Sequence, residues 1–305
     1  MRLGVLDVGS NTVHLLLVDT HSGARPNPIA SKKWDLRLIE NMDSDGNINE
    51  YGEKRLTEVI RKSLEFAVER DSREILAFAT SAIRDAKNGA DVISKINSEF
   101  KIDMQVMSGE EEARTTFLAA RRWFGWSSGR LLVCDIGGGS LEIAVGVDET
   151  PDVAISLPLG ASRLTRNHLE GDPYTKKSLH TLRAYIEDQL QEILPALLKH
   201  QVTDRAVATS KTFRTLARLA KDWIPGNETQ LTQSALRIIS QRLATMSLEE
   251  RIDLPGISPS RARQIVAGSL VAESVMRNLN IDSIEICPWA LREGLVLKWL
   301  DWMEV

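Results

Sequence analysis

Two stretches of this chain share one pattern. Residues 3–19 read LGVLDVGSNTVHLLLVD, and residues 131–148 read LLVCDIGGGSLEIAVGVD. Each runs from an apolar strand through Asp, Val or Ile, Gly and a small or polar pair into a second apolar strand. Asp7 thus aligns with Asp135, Gly9 with Gly137, and His14 with Glu142. Such turns between alternating apolar runs predict β-hairpins, and their recurrence predicts two similarly built domains. The length of 305 residues is also more than one hydrophobic core usually fills.

The rest of the chain fits an α/β protein. Apolar residues Leu56, Val59, Ile60, Leu64 and Val68 mark one face of a helix over 50–70. EILAFATSA (74–82) reads as a strand entering a helix start, DVISKINSEF (91–100) as a short helix and IDMQVMSG (102–109) as a strand. Ser108 then opens another helix, EEEARTTFLAARRWF. GWSSG (125–129) is the most linker-like stretch and falls between the repeats, so domains are expected at 1–125 and 126–305. Later, DVAISLPLG, RAVATS and SIEICPWA read as strands. KSLHTLRAYIEDQLQEILPALLKH (177–200) reads as a helix that Pro195 is expected to kink or split, and 258–279 as another. A terminal helix, 291–305, is expected either to pack back on the first domain or to serve a subunit contact. Strands alternating with helices predict mixed sheets flanked by helices in both domains.

Composition narrows the partners. Hydrophobic residues are 43% and charged residues 26%, a globular balance. The formal net charge of -4 gives no global basic field for nucleic acid, so a polyanion would need a local basic groove. Cys134 and Cys287 lie in apolar strand-like runs and read as buried reduced thiols. No apolar run is long enough to span a bilayer, and the N-terminus lacks a signal-peptide pattern, so a cytoplasmic protein without membrane partners is expected.

Glycine turns allow backbone N–H groups to converge on an anion, because no Cβ blocks close approach. Two facing turns could hold a phosphate chain from both sides. Asp7 and Asp135 would repel that anion, and a divalent cation between them, Mg²⁺ first, reconciles the charges. A plain hairpin remains the alternative for either turn alone. No Walker loop is present, and GGGS leads into an alternating strand rather than a helix, so it is not a dinucleotide fingerprint. NMDSDGNINEYG (41–52) is spaced like a calcium loop but ends in Gly52 where a bidentate Glu is required, and reads as an Asp-Gly turn. Glu111, three after Ser108, forms a capping-box pattern, and Glu110–Glu112 suit the positive end of a helix. Arg84, one turn beyond Thr80 and Ser81, is open between an anion contact and a solvated surface side chain. ATSKTFR (208–214) is a third strand-to-helix junction, with Ser210 and Thr212 around Lys211. His14 reads as a satisfied core histidine.

The motifs DVGSN, ATSAIRDA, SGEEEAR, DIGGGSLE, LPLGASRLT and LREG, in that order, make the chain similar to the exopolyphosphatase/guanosine pentaphosphate phosphohydrolase family. The resemblance covers nearly the whole chain and matches the short two-domain form. It implies two ribonuclease H-like domains of the actin-like ATPase class with the active site in the interdomain cleft. It implies Mg²⁺-dependent hydrolysis, with Mn²⁺ as a substitute, of terminal phosphate from inorganic polyphosphate. The alternatives are guanosine pentaphosphate or another nucleoside phosphate as substrate, and a non-catalytic polyphosphate or alarmone sensor. By motif, Glu111 becomes the general base. Asp135 and Glu142 become magnesium-side or water-orienting carboxylates, with Asp7 a further metal-side acid. Gly137, Gly138, Gly139 and Ser140 cradle phosphate, with Gly9, Ser10 and Asn11 opposite. Arg84 becomes a phosphate ligand. Apart from the resemblance, Ser210, Lys211 and Thr212 at the third junction are further candidate phosphate contacts. The resemblance also suggests a homodimer.

Two departures from the family pattern, Lys211 in TSKT and Arg263 in RAR, add positive charge. With Arg84, Arg163, Arg261 and Arg292 they are candidates for a groove along the distal phosphate chain. A small-molecule kinase of the same superfamily is a weaker rival, because Glu111 and Glu142 form a water-orienting pair.

Overall fold

The computed structural model describes residues 1–20, 27–72, 74–199, 203–225 and 230–303. The helix ends expected at His200 and at residues 304–305 lie outside the described residues. The chain divides into two compact units, Met1–Thr115 with Leu291–Val305, and Thr116–Ala290. The division falls between Thr115 and Thr116, inside the helix Gly109–Phe124.

The first unit holds a five-stranded mixed sheet. Its strands are β1 (Arg2–Val8), β2 (Thr12–Asp19), β3 (Asn27–Asp35), β4 (Glu74–Ala79) and β5 (Met104–Val106), in the order β3-β2-β1-β4-β5. β1 pairs antiparallel with β2, which pairs antiparallel with β3; β1–β4 and β4–β5 are parallel. Strand alternation sends Leu6 and Val8 to one face, and Leu3 and Val5 to the other. The first face packs against helices α1 (Glu50–Val68) and α3 (Gly89–Phe100) through Leu56, Val59, Ile60, Val92 and Ile96. Asn49 starts α1 by accepting from the Gly52 N–H at 2.9 Å. The second face packs against Leu291, Leu295 and Val296 of the terminal helix, α11 (Leu291–Met303), so that helix belongs to the first unit. A short helix α2 (Ser81–Arg84) follows β4, and α4 (Gly109–Phe124) follows β5.

The second unit repeats this order. β6 (Leu131–Ile136), β7 (Leu141–Gly146), β8 (Val153–Leu157), β9 (Arg205–Ala208) and β11 (Ser283–Ile286) run β11-β9-β6-β7-β8, and β10 (Leu231–Thr232) adds an antiparallel edge to β11. β6–β7 and β7–β8 are antiparallel, while β6–β9 and β9–β11 are parallel. The core joins Cys134, Ile136, Leu141 and Ile143 to α5 (Ala161–His168), α6 (Lys176–Leu198), α7 (Lys211–Trp223), α8 (Gln233–Thr245) and α10 (Pro259–Asn278), with the short α9 (Leu248–Ile252) before α10. α10 is buried on every side from Gln264 to Met276. Its small residues permit close approach: a Cβ at Gly268 would lie 2.6 Å from Thr212 Cγ2 and 3.4 Å from the Ala161 Cβ. α6 runs unbroken through Pro195, so the helix is not split there. Pro195 lies in the last turn, so the single backbone donor it removes leaves the longer part of the helix intact.

The calcium-like segment is a turn around Asp43. Its carboxylate accepts from the N–H groups of Asp45 and Asn47 at 2.9 Å each, and Gly46 has φ +85°. Among the described residues no helix is long and apolar enough to cross a membrane.

Candidate active site

The two hairpins turn in the same way. Gly9 N–H donates to the Thr12 carbonyl at 3.0 Å, and Gly137 N–H to the Ser140 carbonyl at 2.9 Å. Register pairs Asp7 with His14 and Asp135 with Glu142, matching the sequence alignment of the repeats. Opposed residues of an antiparallel pair share a face, so each acid sits beside its aligned partner.

In the second unit three consecutive carbonyls of the glycine turn are tied down. Gly137 C=O accepts from Ala161 N–H at 3.0 Å. Gly138 C=O accepts from the N–H groups of Ser162 (2.9 Å) and Arg163 (3.0 Å), and Gly139 C=O from Arg163 Nε at 2.7 Å. The first turn of α5 thereby satisfies its own orphan donors on the loop. In a trans peptide the C=O of one residue and the N–H of the next point oppositely. The N–H groups of Gly138, Gly139 and Ser140 are thus directed away from α5, as an anion cradle requires. Gly160 makes this contact possible: a Cβ there would lie 2.2–2.4 Å from the backbone of Gly139 and Ser140.

Asp135 and Glu142 lie on the sheet face opposite the main core, and hydroxyls orient both. Thr209 Oγ1 donates to Asp135 Oδ2 in a short hydrogen bond, and Ser156 Oγ donates to Glu142 Oε1 at 2.8 Å. Neither Thr209 nor Ser156 stood out in the sequence. Their signal was available only as register, since Ser156 is the β8 partner of Glu142 and Thr209 follows β9. Ser210 caps α7 by accepting from Phe213 N–H at 3.3 Å, and Thr212 Oγ1 donates to the Ile136 carbonyl at 2.9 Å. This junction braces the glycine turn, with exposed Lys211 as the first helical residue. Arg261 opens α10, on the face that carries Gln264 and Gly268; burial pushes its guanidinium down to about 10. Gln264 accepts a short hydrogen bond from Ser162 Oγ. Arg263 is exposed. Cys134 and Cys287 are buried free thiols, and burial raises the Cys134 thiol well above its usual range.

In the first unit Asp7 projects to the α11 face, where Arg292 Nη1 meets its Oδ2 at 3.0 Å. Ser10 Oγ shares a 2.9 Å hydrogen bond with Ser81 Oγ. The Ser10 carbonyl accepts from Leu38 N–H at 2.8 Å, and that of Asn11 from the N–H groups of Leu36 (2.8 Å) and Arg37 (3.0 Å). Arg84 is largely covered: Nη1 donates to Glu112 Oε2 and to the Met107 carbonyl, each at 3.1 Å. His14 is buried, with Nε2 2.8 Å from Ser31 Oγ. Glu111 completes a reciprocal cap. Its Oε2 accepts from Ser108 N–H and Ser108 Oγ at 2.9 Å each, while Ser108 Oγ accepts from Glu111 N–H at 3.1 Å. These bonds from Ser108, backbone first, hold the carboxyl below the usual carboxylate range, and the Lys298 charge helps. The second carboxylate oxygen, Oε1, has no hydrogen-bond partner among the described residues.

Residues 17–303 match the Ppx/GppA phosphatase family. The chain belongs to that family. "Exopolyphosphatase 1" of Mycobacterium tuberculosis is 51% identical over 99% of this chain and 89% of its own length, and that of Mycobacterium leprae is 50% identical over 99% and 90%. Among solved structures, an exopolyphosphatase from Cytophaga hutchinsonii aligns with TM-score 0.87 at 26% identity, covering 99% of this chain and 98% of the other. The Aquifex aeolicus PPX-GPPA enzyme aligns with TM-score 0.79 at 25% identity over 98% and 99%. The Ppx/GppA fold, two mixed sheets flanked by helices in two domains, is therefore the fold of this chain.

Proposed function

We propose that the chain is an exopolyphosphatase, hydrolysing the terminal phosphoanhydride of inorganic polyphosphate. The carrying observation is the glycine turn of the second unit, whose three tied carbonyls leave three N–H groups directed away from α5. Such a cradle binds phosphate by charge and shape without reading a base or sugar. Its relatives named exopolyphosphatase support the substrate class.

Phosphoryl transfer mostly needs positioning and electrostatic stabilisation. The Ser108 hydrogen bonds hold the Glu111 carboxyl below the usual carboxylate range, and Oε1 is available to take a proton from water. The water oxygen bonds to the terminal phosphorus as the bridging P–O bond breaks. Orthophosphate leaves, the chain is one unit shorter, and the proton passes to Glu111. The Gly138, Gly139 and Ser140 amides offset charge on the transferred group. Glu142, held by Ser156, orients the water. Arg261 and Lys211, on the helices that flank the cradle, suit the distal chain.

Asp135 and Glu142 fit Mg²⁺, which is usually held by one or two carboxylates plus water and phosphate; Mn²⁺ suits the same oxygens. Asp7 fits less well, because Arg292 already occupies one of its oxygens. Among the described residues no three His, Cys, Asp or Glu side chains form a group that could hold a metal ion. When bound, the ion would supply Lewis-acid stabilisation of the phosphate oxygens. The buried free thiols favour a cytoplasmic setting, and the reading includes a homodimer.

The test is phosphate release from polyphosphates of graded length, with guanosine pentaphosphate as control, with and without Mg²⁺. Glu111→Gln should lower kcat by about 10²–10⁴-fold while substrate still binds. Wild-type turnover in that variant, checked for folding by circular dichroism, would overturn the assignment of Glu111. Faster turnover of guanosine pentaphosphate than of polyphosphate would overturn the choice of substrate.

A further inference from the structure

Glu111 stands in the first turn of α4, and Thr115 follows one turn later on the same face of the helix. Thr115 is fully buried, although its neighbour Arg114 is not. The element that covers it is α11. Gly294 lies flat against it: a Cβ at Gly294 would stand 2.1 Å from the Thr115 carbonyl oxygen. One turn further along α11, Lys298 Nζ donates to Thr115 Oγ1 at 2.7 Å. The terminal helix therefore grips α4 at the residue one turn beyond Glu111, with a glycine for close approach and a lysine for attachment. We propose that Lys298 is a positioning residue for Glu111. Through Thr115 it fixes the start of α4 against the sheet of the first unit, and its ammonium biases the Glu111 carboxylate toward the ionised state. This rests on the reading of Glu111 as the base.

The charges around this contact are few. On α4, Glu111 favours the Lys298 ammonium and Arg114 opposes it, while Arg114 itself is tied to Glu110 at 2.7 Å. On α11, Arg292 is paired with Asp7 at 3.0 Å. Burial lowers the Lys298 ammonium, and Glu111 raises it. Geometry and charge thus act on the same carboxylate.

A double-mutant cycle tests this. Lys298→Met should lower kcat on long-chain polyphosphate by about 10- to 100-fold through loss of positioning, with KM little changed. The acid limb of its pH profile should move to higher pH relative to the unaltered chain, because a stabilising charge has left Glu111. Lys298→Arg should recover most of kcat. Thr115→Val, which removes the anchor and keeps the charge, should lower kcat without moving the acid limb. In a Glu111→Gln background Lys298→Met should have no further effect. Full additivity with Glu111→Gln would overturn the inference. So would a rise in KM with unchanged kcat and a shallower salt dependence, which would make Lys298 a direct phosphate contact. Circular dichroism of each variant separates these outcomes from unfolding, and Lys298→Arg carries the test if the methionine variant fails to fold. If Glu111→Gln alone keeps full turnover, the base assignment fails first; if it loses turnover and the cycle is additive, only the role of Lys298 fails.

Discussion

The two Asp-x-Gly hairpins are built to one plan and backed in two ways. Both tie their turn carbonyls to a following segment. In the first unit that segment is residues 36–38, which lead into a short 3₁₀ helix, Leu38–Asn41, and two carbonyls are held. In the second it is the start of a helix together with the Arg163 side chain, and three are held. The acids differ more. Arg292 neutralises Asp7 within its own unit, whereas Asp135 lies beside a second carboxylate, Glu142, with Thr209 and Ser156 hydroxyls orienting the pair. Hydroxyls orient a carboxylate without cancelling its charge. Duplication of a hairpin therefore does not duplicate its surroundings: an arginine holds the acid of the first turn, and hydroxyls orient the acids of the second.

The contrast is sharpest at glycine. Gly160→Ala places a methyl group 2.2–2.4 Å from the Gly139 and Ser140 backbone, so the cradle must move. Turnover should fall by about 100-fold or more, on the scale of an ångström-sized misplacement. Stability should fall by about 1–3 kcal/mol, as in other overpacked sites. Gly9→Ala meets only the Thr12 carbonyl oxygen, at 3.3 Å, and should change turnover by less than about tenfold. Equal losses measured by steady-state kinetics and thermal melting would break the comparison.

Asp7→Asn comes next. It leaves Arg292, whose Nε is already buried without a hydrogen-bond partner, without its carboxylate. The expected loss is about 1–3 kcal/mol of stability, read by urea unfolding. A smaller effect should come from Ser108→Ala. Ser108 lowers the folded pKa of Glu111, so its stabilisation is present above the unfolded value of 4.5 and is lost as pH falls through the lower folded one. Removing the hydroxyl leaves the backbone donor in place. The acid limb of kcat against pH should rise by a fraction of a unit, and an unmoved limb would show that Glu111 does not set it.

Much of this was legible in the sequence, for physical reasons. Apolar alternation around Asp7 and Asp135 is dense because these central strands are buried on both faces, and the hairpin register followed from it. The glycine turn and the capping box were legible as local patterns. β3 was not: NPIASKKWD is mostly exposed, so its strand rests on edge pairing rather than on a hydrophobic pattern. Thr209, Ser156 and Lys298 act through tertiary neighbours 74, 14 and 183 positions away, which no local pattern encodes. For Arg84 and Arg292, the sequence displayed charge but not the acids that hold them.

The most direct measurement is the Mg²⁺ dependence of phosphate release, compared between Asp135→Asn and Asp7→Asn. The proposed function gives Asp135 a place beside the cation, so Asp135→Asn should raise the half-saturating Mg²⁺ concentration by about tenfold or more. Asp7→Asn should leave that concentration unchanged even where stability falls. A similar rise in both variants, or a rise in Asp7→Asn alone, would contradict the division of tasks between the two hairpins.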